Sequence, residues 1–127
     1  MTSRWETILV NNKPMEVYIS EPEGPGPYPG VIVIQEAFGV TNHIERVSDR
    51  YSEAGYVVIA PDLYYRKGSR ITLGYDESNF AAAFELMESF TTETLLNDLN
   101  ATIEHLNQHA KVKETKLGMV GFCVGGR

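Results

Sequence analysis

Three short runs of aliphatic residues constrain the fold of this chain more than any other feature. Residues 31–35 (VIVIQ), 56–60 (YVVIA) and 117–120 (LGMV) are apolar almost throughout rather than alternating in polarity. Such runs are typical of strands that are buried on both faces. Because segments with helical periodicity separate them, the pattern predicts an α/β domain whose parallel strands carry helices on both faces of the sheet.

Two further segments predict how the chain enters this sheet. Residues 5–10 and 14–20 alternate in polarity, and Asn11-Asn12-Lys13 between them is turn-forming, so we expect an N-terminal antiparallel hairpin. Residues 21–30 are rich in proline and glycine and predict a stiff surface loop. Residues 63–77 are expected to form a second, longer loop.

Three segments have the apolar spacing of amphipathic helices. The first begins at about Asn42, where Asn42 and Glu45 have the spacing of a capping box, and stops at Gly55. The other two span about 78–90 and 92–109. The residues expected to face the core are Ile44, Val47, Tyr51 and Ala54 in the first helix, Phe80, Phe84 and Met87 in the second, and Leu95, Leu99, Ile103 and Leu106 in the third.

Composition narrows the class of protein. The 127 residues include 17 acidic and 11 basic side chains and carry a formal charge of −6, which argues against a nucleic-acid partner. The longest aliphatic run, residues 31–34, is too short to span a membrane, and the first residues lack an apolar signal core. The single cysteine excludes an internal disulfide and a multi-thiolate metal site. We therefore expect one cytoplasmic domain over residues 1–127, with no metal and no cofactor.

The third apolar run leads directly into the candidate nucleophile. Gly121-Phe122-Cys123-Val124-Gly125 has the form of a nucleophile elbow, in which the reactive side chain lies on a tight turn between a strand and a helix. The flanking glycines allow the strand and the helix to approach closely. A helix that begins here lowers the pKa of the thiol from its free value of about 8.5 and offers N–H groups to an oxyanion. We interpret Cys123 as a nucleophile; the alternative is a buried structural cysteine in a glycine-rich turn.

A carboxylate follows the first apolar run. Glu36 comes directly after residues 31–35, and the carboxyl ends of parallel strands meet at the sheet edge where ligands bind. We therefore expect Glu36 to lie at the same edge as Cys123. The backbone N–H groups of Ala37 and Val124 occupy the positions at which α/β-hydrolases place their two oxyanion donors.

Three separated segments together resemble the dienelactone hydrolase family of α/β-hydrolases. They are residues 35–39 (QEAFG), 60–64 (APDLY) and 121–126 (GFCVGG), and their order and spacing are also similar to those of the family over nearly the whole chain. The resemblance implies the α/β-hydrolase fold and a cysteine hydrolase that opens lactones or cleaves esters, the named activity being carboxymethylenebutenolidase.

The same resemblance implies a role for each candidate residue. In the family, the thiol that matches Cys123 attacks the acyl carbon and forms a thioester acyl-enzyme. The carboxylate that matches Glu36 interacts with this thiol and helps to control its ionisation. The amides that match Ala37 and Val124 form the oxyanion hole. The implied partner is a small ester or lactone.

The predicted second helix departs from the family's pattern. The family member that acts on dienelactone carries an arginine for the substrate carboxylate in this region, whereas residues 78–90 contain none. This difference argues against dienelactone itself as the substrate. Arg66, Lys67 and Arg70 are the nearest cations in sequence, and no residue is assigned to substrate binding.

The order of the triad is the second departure. In α/β-hydrolases the acid and the histidine follow the nucleophile, whereas His43, His105 and His109 all precede Cys123. We interpret His105 and His109, spaced i,i+4, as polar helix surface rather than as metal ligands.

This triad order predicts that the chain is the N-terminal half of a hydrolase domain, cut after its elbow. We expect the 127-residue chain alone to be inactive, and an open sheet edge to favour self-association.

Two other functions fit parts of the pattern. DJ-1-like and glutamine-amidotransferase-like proteins also place a cysteine on a strand-to-helix elbow, although the predicted hairpin and residues 61–64 (PDLY) argue against them. Alternatively, the chain is a catalytically inactive half-domain that acts as an interaction module through its open edge.

Overall fold

The computed structural model describes residues 1–121, with the side chains of residues 113–116 left out. Strands and helices follow one another as β1 (Thr2–Val10), β2 (Lys13–Glu21), β3 (Tyr28–Ile34), α1 (Asn42–Glu53), β4 (Val57–Pro61), a 3₁₀ turn (Glu77–Asn79), α2 (Phe80–Glu88), α3 (Thr92–Asn107) and β5 (Val112–Gly121). The elements predicted from the sequence are therefore present in the expected order, with boundaries that differ by a few residues.

The N-terminal hairpin forms as predicted. Strands β1 and β2 pair in antiparallel register, with Trp5 opposite Tyr18. Both residues of the connecting turn, Asn11 and Asn12, have positive φ angles of 49° and 69°. Two left-handed residues give a two-residue turn the twist of its flanking strands, and asparagine tolerates this conformation better than most residues.

The five strands form one sheet in the order β1-β2-β4-β3-β5. Strand β3 runs parallel to both β4 and β5, whereas β2 pairs with β4 in antiparallel register. The hairpin is thus an extension of the same sheet, and the sheet is mixed. The expected parallel part is confined to the three strands that read as continuous apolar runs.

Helices cover both faces of the sheet, as predicted. Ile44 of α1 packs on one face with Val33 and Val58, and Leu106 of α3 packs on the other face with Ile32 and Ile59. Successive residues of β3 and β4 contribute to opposite faces, which explains why these strands are apolar throughout. In α3 the other predicted core residues, Leu95, Leu99 and Ile103, are partly buried against the same cluster as Leu106.

The first two helices correct the sequence prediction in detail. The N-cap of α1 is Thr41, whose hydroxyl accepts the N–H of Ile44 at 3.5 Å, rather than Asn42. The predicted inward face of α2 is wrong, because Phe80 and Phe84 are 54% and 61% exposed and Ala83 is the buried residue of that helix. Helix α2 has few contacts with the described sheet, so its bulky face stays exposed.

The outer edge of β5 is open within residues 1–121. Strand β5 pairs with β3 and with no other described strand, and its Met119 is 53% exposed. Such an edge presents unpaired backbone groups to a further strand. Self-association through this edge stays a prediction. No helix in the described part of the chain is long and apolar enough to cross a bilayer.

Candidate active site

The register of β3 and β5 determines which strand ends lie side by side. The two strands are parallel, and Ile34 at the end of β3 pairs with Gly121 at the end of β5. In the sequence, Glu36 and Cys123 each come two residues after this pair. Cys123 and Val124 lie outside the described residues, so their assignment as nucleophile and oxyanion donor stays a prediction.

The Glu36–Ala37 peptide is held by two donors. The carbonyl oxygen of Glu36 accepts the N–H of Gly39 at 3.0 Å and the side-chain amide of Gln35 at 3.3 Å. In a trans peptide the N–H points away from the carbonyl of the same unit. These two hydrogen bonds therefore fix the direction of the Ala37 N–H, which is the group expected to donate to an oxyanion.

Two buried polar side chains tie this turn to the end of β4, and sequence reasoning did not assign them a role. Gln35 is fully buried, and its oxygen accepts the N–H of Leu63 at 2.8 Å. Tyr64 is 1% exposed, and its hydroxyl donates to the carbonyl of Ala37 at 2.7 Å. One signal in the sequence was a polar residue, Gln35, directly after an apolar run. A polar side chain that is buried at such a position requires a hydrogen-bond partner.

The carboxylate of Glu36 contacts two hydroxyl groups. Thr41 donates to Glu36 Oε1 at 2.9 Å, and the Tyr75 hydroxyl forms a short hydrogen bond to the same oxygen. The pKa of Tyr75 lies above its ordinary value because its hydroxyl is partly buried and because this hydroxyl donates a hydrogen bond to the Glu36 carboxylate. Neither Thr41 nor Tyr75 was identified from the sequence.

The loop that carries Tyr75 packs directly on the 36–39 turn. The N–H of Leu73 donates to the carbonyl of Phe38 at 2.9 Å, and the rings of Phe38 and Tyr75 meet edge to face at 4.9 Å. Gly39 has a φ of +98°, and a Cβ added there would lie 2.1 Å from the carbonyl oxygen of Ile71. Only glycine allows the two backbones to approach this closely.

A cleft of about 610 Å³ opens beside this carboxylate. It lies between the N-terminus of α1 and the 70–75 loop, and Thr41, Arg46, Arg70 and Tyr75 are among its lining residues. The two residues whose hydroxyl groups bind Glu36 thus line a concave cleft that also contains charged side chains.

Two of the three loop cations named from the sequence, Arg66 and Arg70, have partners inside the protein. Both terminal nitrogens of Arg66 contact the buried carboxylate of Asp98, at 2.8 and 2.9 Å. The guanidinium of Arg70 lies 4.6 Å from the ring centre of Trp5. Arg66 therefore links the loop to α3, which is a structural role.

The histidines of the third helical segment pair with carboxylates on the hairpin. His105 lies 3.0 Å from Glu6, and His109 lies 2.7 Å from Glu21. No group of metal-ligating side chains converges within residues 1–121. His43 lies in the first turn of α1, as predicted.

A buried carboxyl group follows β4. Asp62 is fully buried, its Oδ2 accepts the N–H of Arg70 at 2.6 Å, and its Oδ1 has no hydrogen-bond partner within residues 1–121. Burial raises the pKa of Asp62 from 3.8 to about 6, although nearby backbone N–H groups oppose the shift.

This shift predicts how stability depends on pH. Between pH 4 and 6 the folded protein keeps a proton on Asp62 that the unfolded chain has lost, so the free energy of unfolding falls as pH rises, by at most about 1.4 kcal/mol per pH unit. Asp62→Asn should remove this contribution while keeping an acceptor for the Arg70 N–H. Urea unfolding at several pH values measures it as the difference between the two proteins. Glu53→Gln, at an exposed site, is the control, and parallel pH profiles of wild type and Asp62→Asn would contradict the prediction.

The sequence matches a known family over most of its length. The family described as the Dienelactone hydrolase family matches residues 15–127. This chain belongs to the dienelactone hydrolase family. The alternative assignment to DJ-1-like or amidotransferase-like proteins is therefore set aside in favour of this family.

Similar proteins agree with this assignment. A protein from Synechocystis sp., provisionally named as a carboxymethylenebutenolidase, is 40% identical over 120 residues, which are 94% of this chain and 49% of the relative. The carboxymethylenebutenolidase of Pseudomonas putida is 33% identical over 101 residues, covering 79% of this chain and 42% of that protein.

Solved structures give the fold. A crystal structure of a provisionally named dienelactone hydrolase from Klebsiella pneumoniae matches with a TM-score of 0.81 and 30% identity. The match covers all of this chain and 52% of the Klebsiella pneumoniae chain. The described elements are thus the N-terminal part of the α/β-hydrolase fold. The chain spans about half the length of the curated relatives that it matches.

Proposed function

We propose that this chain carries the nucleophile of a cysteine-dependent hydrolase of small esters or lactones. The observation that carries the proposal is the pairing of Ile34 with Gly121. Because these two residues lie side by side, the segments that lead to Glu36 and to Cys123 leave the sheet from adjacent strand ends. Membership of the dienelactone hydrolase family and the name of the Pseudomonas putida relative support the reaction class.

The proposed reaction has two stages. The sulfur of Cys123 attacks the acyl carbon, and the Ala37 and Val124 N–H groups stabilise the oxyanion that develops on the carbonyl oxygen. The bond to the alcohol oxygen then breaks, the proton that the thiol loses passes to the departing alcohol, and a thioester remains. Water attacks the thioester, releases the carboxylic acid and restores the thiol.

An acyl group trapped on one cysteine tests this mechanism directly. We expect the complete gene product, quenched with acid during turnover of p-nitrophenyl acetate, to carry one acetyl group on the peptide that contains Cys123. An acetyl group on a different side chain would contradict the proposal.

In α/β-hydrolases the catalytic site is completed by an acid and a histidine that follow the nucleophile in the sequence. The 127-residue chain contains neither after residue 123. We therefore expect it to show negligible turnover by itself, and Cys123-dependent hydrolysis by the 127-residue chain would contradict the need for these groups.

A further inference from the structure

The backbone N–H of Ala37 is a buried donor without an acceptor in the described part of the chain. Ala37 is 7% exposed, and its N–H donates no hydrogen bond within residues 1–121. Nearly all buried backbone N–H groups in folded proteins are paired, so a donor left open in this way is unusual. In the proposed reaction, the acceptor of this N–H is the oxyanion of the substrate.

Both peptide units that meet at Ala37 are held through their carbonyl groups. The Glu36 carbonyl accepts the N–H of Gly39 at 3.0 Å and the side-chain amide of Gln35 at 3.3 Å. The carbonyl of the next unit, that of Ala37, accepts the Tyr64 hydroxyl at 2.7 Å. Because each peptide unit is planar, it can turn only by rotation about the bonds to its Cα atoms. Hydrogen bonds on both sides of the Ala37 Cα therefore hold the N–H of Ala37 in one direction.

The two side-chain donors are themselves fixed in place. Gln35 is fully buried, and its Oε1 accepts the N–H of Leu63 at 2.8 Å, which leaves its amide hydrogens for the Glu36 carbonyl. Tyr64 is also buried, and its ring stacks on that of Phe90 with the ring centres 5.3 Å apart. The backbone directly after β4 thus supports both donors. A donor on a rigid support orients its acceptor better than a mobile donor does.

We propose that Tyr64 and Gln35 are positioning residues that direct the N–H of Ala37 toward the oxyanion of the substrate. This inference rests on the proposed function, in which that N–H is one of two oxyanion donors. Tyr64 and Gln35 are buried and act only through the peptide units that they bind. Negative charge develops on the carbonyl oxygen only as the tetrahedral intermediate forms, so a misdirected N–H slows the reaction more than it weakens binding of the ester.

Hydrolysis of p-nitrophenyl acetate by the complete gene product tests the positioning role. We expect Tyr64→Phe, which keeps the ring that stacks on Phe90 but loses the hydroxyl, to lower kcat about tenfold. Outright removal of an oxyanion donor lowers kcat by about 10²- to 10³-fold, and this variant only loosens the donor. Formation and breakdown of the thioester both pass through an oxyanion, so both stages slow alike and KM should stay within about twofold of the wild-type value.

A second variant and an inhibitor make the test independent of one substitution. Gln35→Met removes the amide that holds the Glu36 carbonyl and should lower kcat at least as much as Tyr64→Phe. Trifluoroacetophenone forms an adduct with a nucleophile in which the former carbonyl oxygen carries the negative charge. Its inhibition constant should therefore rise about tenfold in Tyr64→Phe, in parallel with the fall in kcat.

Tyr65→Phe is the matched control. Tyr65 is the next residue along the chain, and its hydroxyl donates at the same distance of 2.7 Å, but to Asp98 of α3 rather than to the 36–39 turn. Loss of this hydroxyl should lower the free energy of unfolding without changing kcat or the inhibition constant. Urea unfolding of every variant measures the change in stability.

The possible failures are distinguishable. If the wild type hydrolyses the ester and folded Tyr64→Phe keeps kcat within about twofold, the positioning role is overturned and the proposed function stands. An equal fall in kcat for Tyr65→Phe and Tyr64→Phe also overturns the positioning role, because the effect would then come from general loosening. If Tyr64→Phe does not fold, Gln35→Met decides between the same outcomes. A complete gene product that hydrolyses no ester overturns the proposed function and this inference with it.

Discussion

Replacing Cys123 by alanine in the complete gene product is expected to lower the rate of aryl-ester hydrolysis by at least about 10³-fold. The substitution removes the sulfur that forms the acyl-enzyme and leaves the oxyanion donors in place. Residual activity should therefore come from binding and from the Ala37 and Val124 N–H groups. Release of p-nitrophenolate under substrate saturation measures the effect.

The matched variant for this experiment is Cys123→Ser, which keeps an attacking atom but replaces the thiol by a hydroxyl of much higher pKa. We expect its rate to fall between those of the wild type and Cys123→Ala. Urea unfolding of all three proteins checks that the fold is retained. Hydrolysis by Cys123→Ala within about threefold of the wild-type rate would exclude covalent catalysis at this residue, since loss of a nucleophile has a far larger effect.

Local sequence signals predicted the sheet well because each acts over a few residues. The asparagine turn produced the hairpin, and the continuous apolar runs produced the three parallel strands. Only β3 and β4 are buried on both faces as expected, because β5 lies at the edge of the described sheet and its Met119 is 53% exposed. The pattern failed for α2, where Phe80 and Phe84 were expected to face inward but are exposed. Periodicity gives the apolar face of a helix but does not show whether another element covers that face.

The candidate site was predicted only in part, for a similar reason. Glu36 follows a recognisable strand, so its place at the sheet edge could be expected. Its partner Tyr75 comes from a loop 39 residues later, and no periodic pattern links the two. The buried carboxylate of Asp98, which binds Arg66, was missed because it occupies a helix position that looks polar and exposed in sequence.

Gly39 is expected to be the glycine whose replacement by alanine most disturbs the site. Its φ of +98° is unfavourable for a residue with a side chain, and the new Cβ would lie 2.1 Å from the carbonyl oxygen of Ile71. Strain and overlap together should lower the free energy of unfolding by about 3 to 4 kcal/mol. Relief of the overlap requires the 71–75 loop to move, which would also separate Tyr75 from Glu36.

Gly55 offers a matched control for this experiment. Its φ is +104°, nearly that of Gly39, but a Cβ added there would meet no atom within 4 Å. Gly55→Ala should therefore show the backbone strain alone, about 1 to 2 kcal/mol. Both substitutions restrict the unfolded chain equally, so that effect cancels when the two are compared. The difference between the two variants in urea unfolding measures the overlap with Ile71, and equal losses would show that the loop does not pack on Gly39 as described.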